Sequence, residues 1–289
     1  MSYQILMYIE GEWSPDLLTN RINQKIIKVP KEMPVAEVLA DCQISADAVL
    51  LITATDIRAE EAKELNLAVL GYLNPQLPDQ SLWGLTMLVQ GFEEVDEAFL
   101  EQVYRREHGL PWEIADTKRC VIRELAMTDL GALRRLYDKP GVTMRLDEEG
   151  NTVKGFIDPL YPPREEQEYQ QAYITNMYGY YGYGMWLVIE KKSGELIGRA
   201  GLENREYPEG TELELGYVID PEWQHRGMAT EVCTAIMEFA RQELDFSRLN
   251  ALTKKENKAS IALLGKLGFR YMEDTVVSGS RMQRYVYSF

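Results

Sequence analysis

The tightest constraint on this chain is a strand, a turn and a helix in immediate succession. Glu212-Leu-Glu-Leu-Gly-Tyr-Val-Ile-Asp220 alternates in the two-residue period of a strand, and Pro221 stops it. Gln224-His-Arg-Gly-Met-Ala229 then leads into Thr230–Leu244, where Val232, Cys233, Ile236, Ala240 and Leu244 recur at helical spacing and give the helix one buried face. The region is therefore α/β. A glycine-containing turn at a helix start aims backbone N–H groups outward, with the positive end of the helix dipole behind them, and so makes a cradle for phosphate. Gly227 lets a ligand come close to the backbone, and Arg226 adds charge. Taken alone, the turn is equally an ordinary strand-to-helix connection.

The 289 residues carry 46 acidic and 31 basic side chains, a formal charge of -15. The length suits two domains, and 45% hydrophobic residues can build a core in each, which excludes a disordered or collagen-like chain. Acidity of this size repels phosphate backbones, so nucleic acid is not an expected partner. Cys42, Cys120 and Cys233 are far apart, and His108 and His225 cannot complete a zinc set with them, so no metal is expected. Met1–Trp13 has no basic leader region, and no stretch approaches the roughly 18 apolar residues of a membrane span. The expectation is a cytoplasmic protein without membrane attachment; its oligomeric state is left open. Residues 1–116 hold 20 acidic and 8 basic side chains, residues 117–289 hold 26 and 23. With a helical pattern ending at Gly109-Leu-Pro111, this predicts an α/β Rossmann-like domain over 1–110, a linker over 111–117 and a second domain over 118–289.

In the first domain, Tyr3–Ile9 reads as a strand, Ser14–Ile22 as a helix and Val35–Leu39 as part of another. Ala48-Val-Leu-Leu-Ile-Thr-Ala54 is the continuous apolar run of a doubly covered strand and is expected at the centre of the sheet. Helix Arg58–Leu65, opened by Asp56, the runs Leu67–Gly71 and Thr86–Val89, and helix Val95–Arg106 complete a parallel α/β pattern. Ligands gather at the carboxyl ends of such strands, which singles out Thr53, Thr55 and Asp56, although Asp56 equally serves as a helix cap. A strand ending in small polar residues, an acidic helix and then Asn66–Pro75 resemble the back half of haloacid dehalogenase-like hydrolases. Those enzymes need an aspartate nucleophile after the first strand and a second carboxylate two residues on. Here that place reads Glu10-Gly-Glu12, so the resemblance implies a degenerate, non-catalytic domain of structural or regulatory use.

In the second domain, Arg119–Leu125 reads as a strand, Ala126–Tyr137 as a helix and residues 166–178 as a helix broken at Gly179. Strands Trp186–Lys191 and Leu196–Leu202 are joined by the hairpin signal Lys192-Ser-Gly194. Gln224-x-x-Gly227-x-Ala229, preceded by Glu214-Leu-Gly-Tyr-Val-Ile-Asp-Pro221 and followed by Asn257-Lys-Ala-Ser-Ile-Ala-Leu-Leu-Gly-Lys-Leu-Gly-Phe269, resembles the GNAT acetyltransferase superfamily. The branch it is most similar to includes the RimJ- and RimL-type ribosomal-protein N-terminal acetyltransferases, and the resemblance runs through 118–289, ending in the tail Met282–Tyr287. It implies a mixed sheet splayed between its fourth and fifth strands, with acetyl-coenzyme A in the gap. Backbone N–H groups of Gln224, Arg226, Gly227, Met228 and Ala229 would hold the pyrophosphate. Backbone at Val218 and Ile219 would pair with the pantetheine and offer a donor to the thioester oxygen. Asn257 matches the asparagine that bonds the pantetheine arm, a role compatible with capping the helix Lys258–Leu267.

Acyl transfer from a thioester to an amine requires a base, an oxyanion donor and an acid. Glu212, Glu214 and Gly216 share one face of their strand, Leu213, Leu215 and Tyr217 the other. Glu214 is the first candidate for base and Glu212 the second; a solvated strand face satisfies the same alternation. Relatives carry a tyrosine acid where this chain has Leu264. Ser260 matches a serine given that role in the RimL-like branch, and a helical serine bonded to its own backbone is the alternative. Tyr217, Tyr178, Tyr180, Tyr181 and Tyr183 are further donors, while Cys233 lies on the apolar helix face as a core residue. The aromatic run Met177–Trp186 falls where the family builds one wall of the acceptor site, and Thr143–Arg164 reads as a mobile loop over it. The expected activity is acetyl-coenzyme A-dependent N-acetylation by direct attack in a ternary complex, on a small-molecule amine or a protein N-terminus. A non-catalytic coenzyme A-binding sensor and a bifunctional enzyme with a phosphatase-like first domain are the competing readings.

Overall fold

The computed structural model describes residues 3–9, 18, 21–146, 149–207, 210–244, 246–277 and 279–289. Two compact units emerge, Met1–Trp112 and Glu113–Phe289.

The first unit runs β1 (Gln4–Ile9), β2 (Ile26–Pro30), α1 (Val35–Cys42), β3 (Val49–Thr53), α2 (Asp56–Glu64), β4 (Ala68–Tyr72), β5 (Leu88–Val89) and α3 (Glu97–Glu107). Its sheet has the order β2-β1-β3-β4-β5 with every neighbouring pair parallel. The apolar run read as the central strand is β3, third of five and buried at every residue. Successive side chains feed opposite faces: Ile5, Leu50, Ile52 and Leu70 pack with Leu100 and Val103 of α3, whereas Leu6, Val49, Leu51 and Val69 pack with Val35 and Val38 of α1 and Ala62 of α2. Strand β2 was not foreseen, because a five-residue edge strand that ends in proline carries almost no periodic signal. Most of the expected helix Ser14–Ile22, and Glu10 and Glu12 with it, lies outside the described residues. Thr53 Oγ1 accepts from the Thr55 amide at 3.1 Å. The Asp56 carboxylate caps no helix; it accepts the amides of Ser81 and Leu82, so this strand end braces its own neighbouring loop.

The second unit runs β6 (Glu113–Asp116), β7 (Cys120–Arg123), α4 (Leu130–Tyr137), β8 (Met144–Leu146), β9 (Thr152–Lys154), α5 (Pro163–Tyr173), β10 (Met185–Glu190), β11 (Leu196–Tyr207), β12 (Gly210–Ile219), α6 (Met228–Glu243), β13 (Arg248–Thr253), α7 (Lys258–Lys266), β14 (Arg270–Val277) and β15 (Ser280–Ser288). Eight strands form one mixed sheet, ordered β14-β15-β13-β12-β11-β10-β7-β6, in which β12–β13 is the parallel pair. Helix α6 buries Val232, Cys233, Ile236 and Ala240, the stripe expected of it, in a core shared with Ile122, Trp186 and Leu213.

Three expectations are corrected, and one strand was not foreseen. The linker over 111–117 is largely strand: β6 pairs antiparallel with β7, and four residues are too few to show a period. The loop over Thr143–Arg164 contains the hairpin β8–β9 and the start of α5. The second helix does not break at Gly179; it passes into a π-helix over Ile174–Tyr181 and stops at Gly182, whose φ of 77° is left-handed. Strand β14 went unread because its residues are mostly exposed and it is recruited by pairing with β15. No helix among the described residues is long and apolar enough to cross a membrane.

Candidate active site

Strands β12 and β13 share a ladder of two residue pairs, Leu213 with Leu249 and Glu214 with Asn250, while β12 stays paired with β11 from Gly210 to Ile219. The shared end is pinned by a polar network. Asn250 Nδ2 donates to Glu212 at 2.6 Å and to the Leu213 carbonyl at 3.3 Å. Arg284, fully buried beneath the Tyr207 ring, reaches Glu212 at 3.1 Å and Asn250 Oδ1 at 2.8 Å, and Arg248 pairs with the same carboxylate. Glu212 is thereby spent on holding strands together, which removes the second candidate base.

Beyond the shared ladder, Tyr217, Val218 and Ile219 line a cavity of about 570 Å³ with the turn before α6, the first turns of α7 and the segment around β8–β9. Gly227 is the N-cap of α6 with φ 76°, a left-handed conformation that favours glycine. The turn is held from below: Arg119 donates its Nη1 to the Arg226 carbonyl at 2.8 Å and its Nε to Glu231 at 2.7 Å, while Thr117 Oγ1 and the Arg119 amide complete the set around Glu231. Burial pushes the Glu231 carboxyl up, but these hydrogen bonds outweigh it and hold the group below its ordinary value. Gln224 Nε2 ties the other side of the turn to the Ile219 carbonyl at 2.9 Å.

Of the cofactor-binding candidates, Val218, Ile219, Gln224, Gly227, Met228, Ala229 and Asn257 come together on this cavity. The Arg226 side chain is not on its wall; the guanidinium stacks at 5.1 Å over Trp223, whose own side chain is part of the lining. The cationic side chains that do line it are Arg145 and Lys266, with His225 beside them, and no carboxylate takes part among the described residues. These three went unread because a lone basic residue on a surface turn, strand or helix carries no pattern. A wall that includes the Gly227 turn at the start of α6, carries Arg145 and Lys266 and has no carboxylate among the described residues fits a polyphosphate ligand in a protein of net charge -15.

Asn257 caps α7, its Oδ1 accepting from the Ser260 amide at 3.2 Å. The Ser260 hydroxyl lies 2.5 Å from the Tyr217 hydroxyl. Burial pushes the Tyr217 phenol well above the ordinary tyrosine range, against the opposing effect of the Ser260 hydrogen bond, so it keeps its proton at neutral pH. Glu214 does not line the cavity. It lies on the opposite face of β12, mostly buried, and pairs with Arg205. Burial pushes its carboxyl above the ordinary range; Arg205 pulls it down without cancelling the effect. Tyr173 and Tyr178 are spent on the fold: Tyr173 Oη accepts from the Met185 amide and Tyr178 donates to the Met185 carbonyl, both at 2.7 Å. Tyr183 donates to Asn204 at 2.7 Å, leaving Tyr180 and Tyr181 exposed. Cys233 is fully buried, and burial pushes its thiol far up, as befits a core residue.

The profile of the acetyltransferase (GNAT) domain matches residues 119–270, more than half of the chain. The chain belongs to the GNAT acetyltransferase family. It is an acyltransferase that acts with acetyl-coenzyme A, in keeping with the cavity at the start of α6. Among relatives of this GNAT protein, the uncharacterized protein YkkB of Bacillus subtilis (strain 168) is 28% identical over 146 residues, 50% of this chain and 84% of that one. The ribosomal protein uS5-alanine N-acetyltransferase of Escherichia coli (strain K12) is 25% identical over 169 residues, 55% of this chain and 86% of that one. A solved ribosomal L7/L12 alpha-N-protein acetyltransferase in complex with coenzyme A aligns with a TM-score of 0.46 at 16% identity, covering 61% of this chain and 98% of that one.

Proposed function

We propose that the cavity beside β12 is the acetyl-coenzyme A site of an N-acetyltransferase in which a primary amine attacks directly within a ternary complex. The observation that carries this reading is the Tyr217–Ser260 hydrogen bond on the cavity wall, with the Glu214 carboxyl on the other face of the same strand. Acetyl-coenzyme A supplies an acetyl group activated as a thioester. Main-chain amides of Gln224, Arg226, Gly227, Met228 and Ala229 hold its diphosphate at the positive end of α6. Val218 and Ile219 run beside the pantetheine and offer a main-chain donor to the carbonyl oxygen, where negative charge develops. Asn257 keeps Oδ1 on the α7 cap and uses Nδ2 as the donor to the pantetheine arm. Ser260, backed by Tyr217, donates to the departing sulfur. Glu214 takes the amine proton from the side away from the coenzyme, and a raised pKa brings it nearer the value a base needs at neutral pH.

A protein N-terminus is the favoured acceptor class, supported by the likeness to the uS5-alanine N-acetyltransferase; a small-molecule amine is the other. The first unit carries no hydrolase chemistry in this reading, since Asp56 and Thr53 are engaged in bracing their own loop. Ser260→Ala and Tyr217→Phe test the site. Each is expected to lower kcat about 10- to 100-fold while the Kd for coenzyme A stays within about twofold. Loss of coenzyme affinity with kcat unchanged would remove both residues from the chemistry.

A further inference from the structure

One wall of the cavity is the segment from Gly141 through β8 and β9 to Ile157. Gly141, Val142, Arg145, Phe156 and Ile157 all line it. Arg145 lies at the centre of β8, opposite Val153 in the hairpin, and its guanidinium stacks over Phe156 at 4.6 Å. That contact holds the group over the ring face. Its Nε is shielded from solvent without a hydrogen-bond partner, and no ion pair involves Arg145 among the described residues. A cation held in this way, in a cavity with no carboxylate among its described lining residues, is prepared for an anion that arrives from solution.

The root of the hairpin shows which part of the ligand that anion is. Lys139 Nζ bridges Asp220 and Glu222, at 2.6 Å each, and Gly141 lies against Pro221. The chain therefore enters β8 from the residues just before the Gln224–Gly227 turn. Arg145 is four residues beyond Gly141, within about 13 Å of that tether at strand rise. Lys266, the other cationic chain on the cavity, sits at the far end of α7.

We propose that Arg145 is a diphosphate-binding residue, supplied by the β8–β9 hairpin from the side facing the N-terminus of α6, and that it adds a side-chain cation on the cavity wall itself, where Arg226 does not lie. The proposal rests on the reading of the cavity as the coenzyme site. The two phosphates are then held by main-chain amides on one side and by a preorganised guanidinium on the other, with Phe156 as its platform.

Calorimetric titration of the full-length protein with coenzyme A and with dephospho-coenzyme A, which lacks the 3′-phosphate and keeps the diphosphate, tests the assignment. In R145Q both Kd values rise about tenfold, the worth of one charge-assisted contact, and R145K recovers part of the loss. The melting temperature of the ligand-free variant stays at that of the wild type. A rise for coenzyme A alone would move Arg145 to the 3′-phosphate. Unchanged affinities, or an R145K as weak as R145Q, would remove it from phosphate binding. Failure of the wild type to bind either ligand would overturn the coenzyme site itself, a result separate from any effect of Arg145.

Discussion

Glu214 and Arg205 make the sharpest test at the level of single residues. Burial lifts the Glu214 pKa and Arg205 lowers it, so Glu214 works as a base only above a pKa already higher than that of an ordinary carboxylate. The acid limb of kcat/KM is therefore expected above the ordinary glutamate range. In R205Q the lowering influence is gone, the Glu214 pKa rises further, and the limb moves to higher pH. In E214Q, kcat falls about 100-fold and the Kd for coenzyme A is unchanged. A limb that does not move in R205Q, or an E214Q enzyme of near wild-type rate, assigns the base elsewhere. The alternation over Glu212–Asp220 shows which side chains share a face, and the structure keeps that division. It is silent on partners: Glu212 and Glu214 look alike in sequence, yet among the described residues one is locked by Arg284, Arg248 and Asn250 and the other pairs with Arg205. Those partners come from strands more than thirty residues away, or from an adjacent strand with the same local pattern, and no local spacing encodes them.

At the level of elements, the parting of β12 from β13 is what makes a cavity, and the network around Glu212 sets where it begins. Replacing Glu212 by Gln removes one of the two carboxylates that pair with buried Arg284, the other being Glu273, and takes the ion pair from Arg248 as well. A loss of about 3–5 kcal/mol in urea unfolding is expected for E212Q, and a change below about 1 kcal/mol would show that the network is incidental. Strand β12, helix α6 and helix α7 were all legible, because each has a clear period and a recognisable end in Pro221, Gly227 or Gly268. The edge strands β2, β6 and β14 were not. They are short or exposed, and are strands because a neighbour offers a ladder. The hairpin β8–β9 was hidden among Asp, Glu, Gly and Pro for the same reason, and Arg145 was hidden with it.

At the scale of the whole molecule, the unit boundary at Trp112 divides the charge into -10 for residues 1–112 and -5 for 113–289. Most of the acidity lies outside the acetyltransferase unit and bears little on its acceptor. The unit boundary also makes a prediction about truncation. A fragment beginning at Glu113 is expected to fold and to bind coenzyme A within about twofold of the full chain. A fragment beginning at Lys118 lacks β6 and Thr117, one of the groups that hold Glu231 beneath the Gly227 turn, and is expected to bind several-fold more weakly. Equal binding by the two fragments would show that this support is dispensable. The central claim is acetyl transfer to an amine, and one assay meets it directly: thiol release from acetyl-coenzyme A by the full-length protein across peptides with free and blocked N-termini and a set of small amines, with mass analysis of the acceptor. The account predicts steady thiol release matched one for one by acetylation of a free amine, abolished when that amine is blocked. Tight coenzyme A binding with no turnover on any acceptor would contradict it.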